Sequence, residues 1–317
     1  MRLNNLPKFI FSWGIFLMML FPIFTSCKKS STEVLRSMEE QRMEFCNHID
    51  STSLREVINP DTIKGFESLS KLSAKAWILI DDSTGLLISS KNAGKQMYPA
   101  SLTKMMTCLL ALEHAHPDDS IKITEDVFLE KDGRVRLGDG FLEGNLIYEM
   151  MLQSDNDAAY ALAKHISGSV PDFCKKMNER AGFLRLDSTH FANPNGMPND
   201  STFSSARDLL VLARYCMRDS VFAKIVGTSY MEIPLTDGRH LDIENTNLLL
   251  KRYKGCIGVK TGYTRKAGAC LASAATRDGH TLFLVLLGSS TRWLRFTESM
   301  TLLDYGFAVM KAYDEHR

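Results

Sequence analysis

Apolar and polar positions follow two periodicities along the chain, and the changes between them mark the predicted elements. Short apolar runs at residues 77–80 and 86–88 flank a polar segment that ends in Gly85, which is typical of a β-hairpin. From residue 102 to 112 the apolar side chains recur every three or four positions, which predicts a helix soon after Pro99. The folded region therefore begins with strands and continues into a helix.

Helical spacing continues through residues 140–220, and strand patterns return in the last third of the chain. Apolar runs at 256–260, 269–275 and 281–287 predict three strands, and a final helix follows from about residue 292 to 313. Strands near both ends with helices between them predict an α+β fold, in which one sheet is assembled from N- and C-terminal segments. The helical middle would form a second lobe, with a cleft between that lobe and the sheet.

The first 27 residues form a segment of their own. Arg2 and Lys8 precede an apolar stretch at 9–24, which is too short and too interrupted for a comfortable membrane span. It ends at small residues just before Cys27, so the segment resembles a bacterial lipoprotein signal, whose new N-terminal cysteine is lipidated. A plain signal peptide and a single membrane anchor are the alternatives. All three predict export, with the remaining chain on the periplasmic side of a bacterial membrane.

The segment that follows the signal is polar and charged, with apolar positions at roughly helical spacing. Ser30 and Glu33 have the spacing of a capping box at a helix start. We therefore expect a signal peptide at 1–26, a tether with a lead-in helix at 27–73, and one catalytic domain at 74–313.

Composition narrows the possible functions. The chain has 317 residues, 44% of them hydrophobic and 24% charged, which fits a globular enzyme. The formal net charge of +1, without a long charge run, gives no reason to expect a nucleic acid partner.

Six cysteines follow Cys27, and their spacing shows no CxxC pair and no zinc pattern, so no metal site is expected. Cys108 and Cys216 lie in apolar helical stretches and are predicted to be buried. Cys256 and Cys270 flank a predicted hairpin turn, which leaves a disulfide open.

Ser101 and Lys104 open the predicted long helix as an S-x-x-K string. Side chains three apart on a helix share one face, so the ammonium of Lys104 can reach the hydroxyl of Ser101. A serine hydroxyl needs a base to remove its proton, and a lysine can be that base when burial or a neighbouring cation lowers its pKa. Alone the string is weak, because it also occurs at Ser26 and Ser68. Only Ser101 opens an apolar helix.

Two further triplets carry polar groups to predicted element ends. Ser154-Asp155-Asn156 lies between apolar helical flanks, which fits either a loop that points into a cleft or an ordinary helix N-cap. Lys260-Thr261-Gly262 ends an apolar strand. A strand edge can align a substrate backbone while Lys260 holds a carboxylate, and a glycine lets the two backbones approach closely.

The order S-x-x-K, S-D-N, K-T-G is the motif set of class A β-lactamases and penicillin-binding proteins. The stretch from about residue 74 to 310 resembles the low-molecular-mass D-alanyl-D-alanine carboxypeptidases in more than the triplets. The resemblance is carried also by Pro99-Ala100 before the serine and by residues 191–196, 206–208 and 258–274. It implies a β-lactamase/transpeptidase-like fold, with an antiparallel sheet flanked by helices, a helical lobe and the active site between them.

The resemblance also implies roles for individual residues. Ser101 would be the nucleophile, Lys104 its general base, and Ser154 the relay of a proton to the leaving D-alanine. Asn156 would bind the substrate or fix Lys104. Four strand residues would bind the substrate: Lys260, Thr261, Gly262 and Tyr263. Among them, Lys260 would hold the terminal carboxylate of the substrate. The backbone N–H groups of Ser101 and Tyr263 would form the oxyanion hole.

The implied partners are peptidoglycan stem peptides, β-lactams as covalent inhibitors, and a membrane reached through lipidated Cys27. Neither a metal nor an organic cofactor is needed. Many family members continue into a β-rich domain and a C-terminal amphipathic helix, whereas only a few residues follow the last predicted helix here, so we expect no β-rich domain.

Three alternative functions stay open. A DD-endopeptidase that cuts crosslinks is one, because relatives without the extra domain include such enzymes. A β-lactamase would share the motifs but needs a base for deacylation, and the comparable stretch at 187–194 holds no glutamate. A non-catalytic cell-wall binding lipoprotein would not need the Ser101–Lys104 pair. Tyr263 stands where some relatives carry histidine, a difference that could change substrate preference.

Overall fold

The computed structural model describes residues 31–57, 59–60, 63–114, 116–129 and 134–316. The predicted signal and Cys27 lie outside these residues. The chain divides into two compact units, Met1–Glu40 and Gln41–Arg317, and the second holds both the sheet and the helical lobe.

One five-stranded sheet, in the order β2-β1-β9-β8-β7, forms the centre of the second unit, and all its neighbouring strands are antiparallel. Its strands are β1 (Ala76–Asp81), β2 (Leu87–Lys91), β7 (Cys256–Thr264), β8 (Gly268–Arg277) and β9 (His280–Ser289). Because β1 pairs with β9, with Ile78 opposite Val285, the sheet joins the two ends of the domain as predicted. The antiparallel α+β architecture is confirmed.

Two small two-stranded sheets among the described residues lie outside this sheet, and the apolar pattern did not predict them. They pair β3 (Ser120–Lys122) with β4 (Gly140–Leu142) and β5 (Tyr230–Pro234) with β6 (His240–Glu244). In β5 only the fourth position, Ile233, is buried, so the strand has almost no alternating apolar signal.

Helices of the second unit cover both faces of the sheet. The bounds of the helices are α1 Ser31–Asn47, α2 Ser53–Val57, α3 Lys104–His114, α4 Glu143–Leu152, α5 Asn156–Ser167, α6 Val170–Phe183, α7 Ala206–Cys216, α8 Ser220–Gly227, α9 Leu249–Arg252 and α10 Leu294–His316. The helix predicted from the serine motif begins instead with a 3-10 turn at Ala100–Thr103, which leads directly into α3. No helix among the described residues is long and apolar enough to cross a membrane.

Apolar side chains form two cores, one on each face of the sheet. Alternation along β1 sends Ile78 and Ile80 into the core shared with the helical lobe, and Trp77 and Leu79 into the core under α10. Helix α3 lies inside the first core, with buried side chains from Lys104 through Ala111. Lys104, which begins this helix, is therefore held by packing on several sides.

Some side chains before residue 74 are buried in the two cores. Met43 and Cys46 belong to the first core and Leu54 to the second, so part of the predicted lead-in contributes to the fold. Cys108 and Cys216 are fully buried, as predicted. The cysteines within the described residues are all free, including Cys256 and Cys270.

Candidate active site

Ser101 and Lys104 meet where the 3-10 turn passes into α3. The Nζ atom of Lys104 lies 3.2 Å from Oγ of Ser101. It also donates to Oδ1 of Asn156 at 2.7 Å and to the carbonyl oxygen of Asn195 at 2.9 Å. The Lys104 side chain is fully buried, while Ser101 is half-buried at the cleft. Three acceptors therefore fix the ammonium beside a reachable hydroxyl.

The S-D-N triplet joins α4 to α5, and each of its three residues has a different structural role. Ser154 has φ +64°, which turns the chain sharply after α4. Asp155 is the N-cap of α5, and its Oδ1 accepts from the backbone N–H of Ala158 at 2.8 Å. Asn156 then reaches Lys104. The cap interpretation thus applies to Asp155, while Asn156 belongs to the cleft.

The K-T-G triplet lies on β7, the edge strand of the sheet. Lys260 is buried, and its Nζ donates to the carbonyl oxygen of Thr261 at 3.2 Å. The hydroxyl of Thr261 lies 2.7 Å from that of Thr246. A Cβ at Gly262 would come within 3.1 Å of the Ser101 backbone nitrogen, so glycine permits the strand to pass beside the serine.

The site concentrates positive charge. Burial, followed by the charges of Lys104 and Arg295, holds the pKa of Lys260 well below its usual range. Arg295 lies under the strand and donates from Nη1 to the carbonyl oxygen of Gly262 at 2.9 Å. Burial lowers the pKa of Arg295 to about 10. Such a cluster favours an anionic ligand, since a bound carboxylate would relieve the repulsion among the cations.

The turn at residues 193–196 packs against the segment that carries Ser101, a role that the sequence analysis did not predict. Its Pro194 carbonyl accepts from the Thr107 hydroxyl at 2.6 Å, and Asn195 holds Lys104. Gly196 has φ +81°, and a Cβ there would lie 1.9 Å from the Ala100 carbonyl oxygen. The Asn-Pro-Asn-Gly composition signals a turn, but its position under the serine depends on tertiary packing.

The structure thus brings the predicted residues Ser101, Lys104, Asn156, Lys260 and Gly262 together, with Thr261 and Tyr263 on the same strand as Lys260. Sequence reasoning missed Arg295 and Thr246, because an arginine in a helical first turn and a threonine after a strand have no distinctive local pattern. Among the described residues, no group of three or more histidine, cysteine, aspartate or glutamate side chains could hold a metal ion.

Known proteins share both the sequence and the fold. Residues 64–291 match the family model described as D-alanyl-D-alanine carboxypeptidase. A D-alanyl-D-alanine carboxypeptidase of Bacillus subtilis is 35% identical over 251 residues, which are 77% of this chain. One from a Streptomyces species is 35% identical over 257 residues, covering 75% of this chain and 88% of that protein. The chain spans only 64% of the length of the Bacillus relative.

Solved structures give the same grouping. The crystal structure of a Streptomyces DD-transpeptidase superimposes with a TM-score of 0.70 at 31% identity, covering 75% of this chain and 98% of that one. A D-alanyl-D-alanine carboxypeptidase of Mycobacterium tuberculosis gives a TM-score of 0.69 at 31% identity, covering 74% of this chain and 91% of that one.

Proposed function

The chain belongs to the D-alanyl-D-alanine carboxypeptidase family, and we propose that it removes the terminal D-alanine from peptidoglycan stem peptides through an acyl-enzyme at Ser101. The observation that carries this proposal is the contact of 3.2 Å between Lys104 Nζ and Ser101 Oγ, in a cleft whose other wall holds the buried cation Lys260. A nucleophile, a base and a carboxylate site are what the reaction requires.

Acylation begins when neutral Lys104 takes the hydroxyl proton of Ser101. Oγ then attacks the carbonyl carbon of the bond between the two D-alanines, and negative charge develops on the carbonyl oxygen. The backbone N–H groups of Ser101 and Tyr263 receive that charge. The close passage of Gly262 beside the Ser101 nitrogen supports this assignment, because it brings the strand and the serine turn together.

The tetrahedral intermediate collapses when the bond to the terminal D-alanine breaks. Its nitrogen takes the proton held by Lys104, relayed by the Ser154 hydroxyl, and free D-alanine leaves. Water then attacks the ester while Lys104 accepts a proton from it. Lys104 returns this proton to Oγ of Ser101 as the ester bond breaks, and the shortened stem peptide leaves. Asn156 keeps Lys104 aligned in both halves, a role supported by the hydrogen bond of 2.7 Å between them.

Substrate recognition depends on the edge strand. Lys260 holds the terminal carboxylate, Thr261 offers a hydroxyl beside it, and free backbone groups of β7 align the peptide as an added strand. The repulsion among Lys104, Lys260 and Arg295 supports an anion site at this point. β-Lactams carry a carboxylate and a reactive carbonyl at similar positions, so they acylate Ser101 as well.

The site of action is the periplasmic side of a bacterial membrane, with Cys27 as the lipid attachment. What supports this part is the sequence alone: a basic start, an apolar stretch and small residues before Cys27.

Fluorescent penicillin labelling tests the reaction. The mature protein should be labelled covalently, and Ser101→Ala should abolish the label. Lys104→Arg should lose it too, because arginine keeps the charge but is not deprotonated in proteins. Lys164→Arg serves as the matched control and should label normally. Undiminished labelling of Ser101→Ala at another residue would overturn the nucleophile, and rapid acylation of Lys104→Arg would make Lys104 a structural residue. Release of D-alanine from a pentapeptide monomer, against cleavage of crosslinked dimers, separates carboxypeptidase from endopeptidase.

A further inference from the structure

A short segment joins the helix that ends at the S-D-N triplet to the strand that carries the K-T-G triplet. It comprises residues 244–247, which begin at the end of β6 and lead toward α9, and it is called the bridging segment below. The backbone N–H of Thr246 donates to the carbonyl oxygen of Leu152, the last residue of α4, at 3.0 Å. The hydroxyl of Thr246 lies 2.7 Å from the hydroxyl of Thr261 on β7. Thr246 therefore contacts both elements, each through a different group.

A second hydrogen bond holds the bridging segment beside the S-D-N triplet. Nε2 of Gln153 donates to the carbonyl oxygen of Glu244 at 2.9 Å, and Gln153 directly precedes Ser154. The segment is thus bonded to the backbone of Leu152 and to the side chain of Gln153. Neither of these bonds uses the hydroxyl of Thr246, so removal of that hydroxyl leaves the segment attached at this end.

The bridging segment is also held internally. Asn245 is buried, and its backbone N–H donates to the carbonyl oxygen of Ser229 at 2.9 Å. Oδ1 of Asn245 accepts from the backbone N–H of Asn247 at 2.9 Å, across the residue between them. The hydroxyl of Thr246 is therefore presented to Thr261 from an ordered backbone, and little conformational entropy is lost when the two hydroxyls bond.

The reacting groups and the proposed carboxylate site depend differently on this pair of hydroxyls. The ammonium of Lys104 lies 3.2 Å from Oγ of Ser101 and 2.7 Å from Oδ1 of Asn156, contacts that do not involve the bridging segment. Lys260, in contrast, directly precedes Thr261 on β7, which is an edge strand. An edge strand has a neighbouring strand on one side only, so contacts from outside the sheet contribute more to its position.

We propose that Thr246 is a positioning residue for the carboxylate site: its hydroxyl holds Thr261, and with it Lys260, at a fixed distance from the S-D-N triplet. The inference rests on the proposed function, which assigns the terminal carboxylate of the peptide to Lys260. Loss of the hydroxyl therefore weakens the binding of ligands that carry this carboxylate, while the groups around Ser101 stay in place.

The first test measures D-alanine release from a D-alanyl-D-alanine pentapeptide by variants of the mature protein. Thr246→Val keeps the shape and the backbone N–H of the residue but removes the hydroxyl. Its KM should rise about tenfold while kcat falls less than about twofold, because the reacting groups keep their contacts. Thr246→Ser keeps a hydroxyl and should return KM to within about threefold of wild type.

Thr276→Val is the matched control. The hydroxyl of Thr276 lies 2.9 Å from that of Thr281, so this variant also breaks a pair of threonine hydroxyls in the same sheet. The pair lies next to the turn that connects β8 to β9, away from the K-T-G triplet. Thr276→Val should therefore keep the KM and the kcat of wild type.

A second test measures equilibrium binding in a Ser101→Ala background, where no turnover occurs. The protein with Thr246 intact should bind the pentapeptide more tightly than the same peptide with a C-terminal amide, which lacks the carboxylate. Adding Thr246→Val should weaken binding of the acid about tenfold and leave binding of the amide unchanged. A general loss of structure would instead weaken the binding of both peptides.

Three results would overturn the inference: unchanged binding of the acid by the Thr246→Val protein, an equal loss for acid and amide, or no recovery of KM in Thr246→Ser. The proposed function is tested separately. If binding behaves as expected but wild type releases no D-alanine, the proposed function fails while the positioning role stands. If wild type releases D-alanine and Thr246→Val binds the acid as tightly as the protein with Thr246, the positioning role fails while the function stands.

Discussion

The ammonium of Lys104 lies close enough to Lys260 to oppose its charge, although each residue comes from a different wall of the cleft. Burial acts in the same direction and is the larger effect. The charged form of Lys260 is therefore less stable in the folded protein than in water, and its pKa is lowered. The proposed carboxylate-binding site is thereby made sensitive to Lys104, the residue proposed to activate Ser101.

This relationship predicts the pH dependence of peptide binding in a Ser101→Ala background. Binding of a D-alanyl-D-alanine peptide should weaken as pH rises through the depressed pKa of Lys260, because the neutral amine no longer attracts the carboxylate. Adding Lys104→Met removes the opposing charge and should move this weakening to higher pH. Lys164→Met, which removes an exposed lysine, should leave it in place. Calorimetric titration from neutral to alkaline pH measures it, and an unmoved profile in the Lys104→Met protein would show that the two lysines are not coupled.

Glu149 on α4 predicts a loss of stability at alkaline pH. Its side chain is fully buried, and neither carboxyl oxygen has a hydrogen-bond partner among the described residues. Burial, with a smaller effect of Asp155, raises its pKa from 4.5 to about 8. The folded state thus binds this proton more tightly than the unfolded chain. The contribution of Glu149 is full below about 4.5 and is lost as pH rises toward 8.

Glu149→Gln keeps the shape of the side chain and cannot ionise. Its free energy of unfolding in urea should therefore match that of wild type near pH 4.5 and exceed it by about a few kcal/mol at pH 8. Glu179→Gln, on the exposed side of α6, should follow the wild-type pH profile. Parallel profiles for wild type and Glu149→Gln would mean that Glu149 is ionised in the folded protein throughout.

Gly196 predicts that the support under the serine is intolerant of a side chain. An alanine there needs φ +81° and places its Cβ 1.9 Å from the Ala100 carbonyl oxygen, so the turn that carries Ser101 must move. We expect Gly196→Ala to slow penicillin acylation by at least about tenfold and to destabilise by about 2–4 kcal/mol. Gly238→Ala is matched, with φ +87° and nothing within 4 Å. It should cost about 1–2 kcal/mol of backbone strain and leave acylation unchanged. Equal acylation rates for both variants would contradict the support role.

The fate of the penicilloyl ester separates a peptidase from a β-lactamase. The segment at 187–194 contains no glutamate to activate a deacylating water, and general-base help is worth about 10²–10⁴-fold. Stopped-flow with a chromogenic penicillin should show a stoichiometric burst followed by release over minutes or longer, while stem peptides turn over repeatedly. Sustained penicillin turnover above about one per second, without D-alanine release, would identify a β-lactamase.

The proposed lipid attachment at Cys27 predicts in which cellular fraction the protein is found. Each buried CH₂ of an acyl chain contributes about 0.8 kcal/mol, so several chains on one residue hold the protein at the membrane. Cys27→Ser should move the protein from the membrane fraction to the soluble exported fraction, whereas Cys46→Ser should not. A Cys27→Ser protein that stays in the membrane with its signal removed would exclude the lipoprotein form.

The strands could be predicted from sequence, and Ser101 could be chosen as the candidate nucleophile, because both signals are local. An unbroken apolar run such as residues 282–287 indicates a buried element, and Ser101 differs from the other S-x-x-K serines because an apolar helix follows it. Arg295 and the turn at 193–196 could not be assigned, since their roles depend on which distant backbone they meet. The hairpin of β5 and β6 was not predicted because only one residue in each strand is buried. Its sequence therefore lacks the alternation of apolar and polar residues that marks a strand.

The position of β1 between β2 and β9 has a consequence for how the protein is made. A ribosome produces β1 and its hairpin partner before the helical lobe, but β9 appears only after that lobe has been made. Until then β1 lacks one of its neighbours, and the serine helix lacks the strand that carries Lys260. Strands so far apart in sequence pair slowly, because the entropy lost on closing the long loop must be overcome before the contacts between the strands can form. The chain therefore cannot complete this sheet until late in its synthesis, which is compatible with the export proposed above.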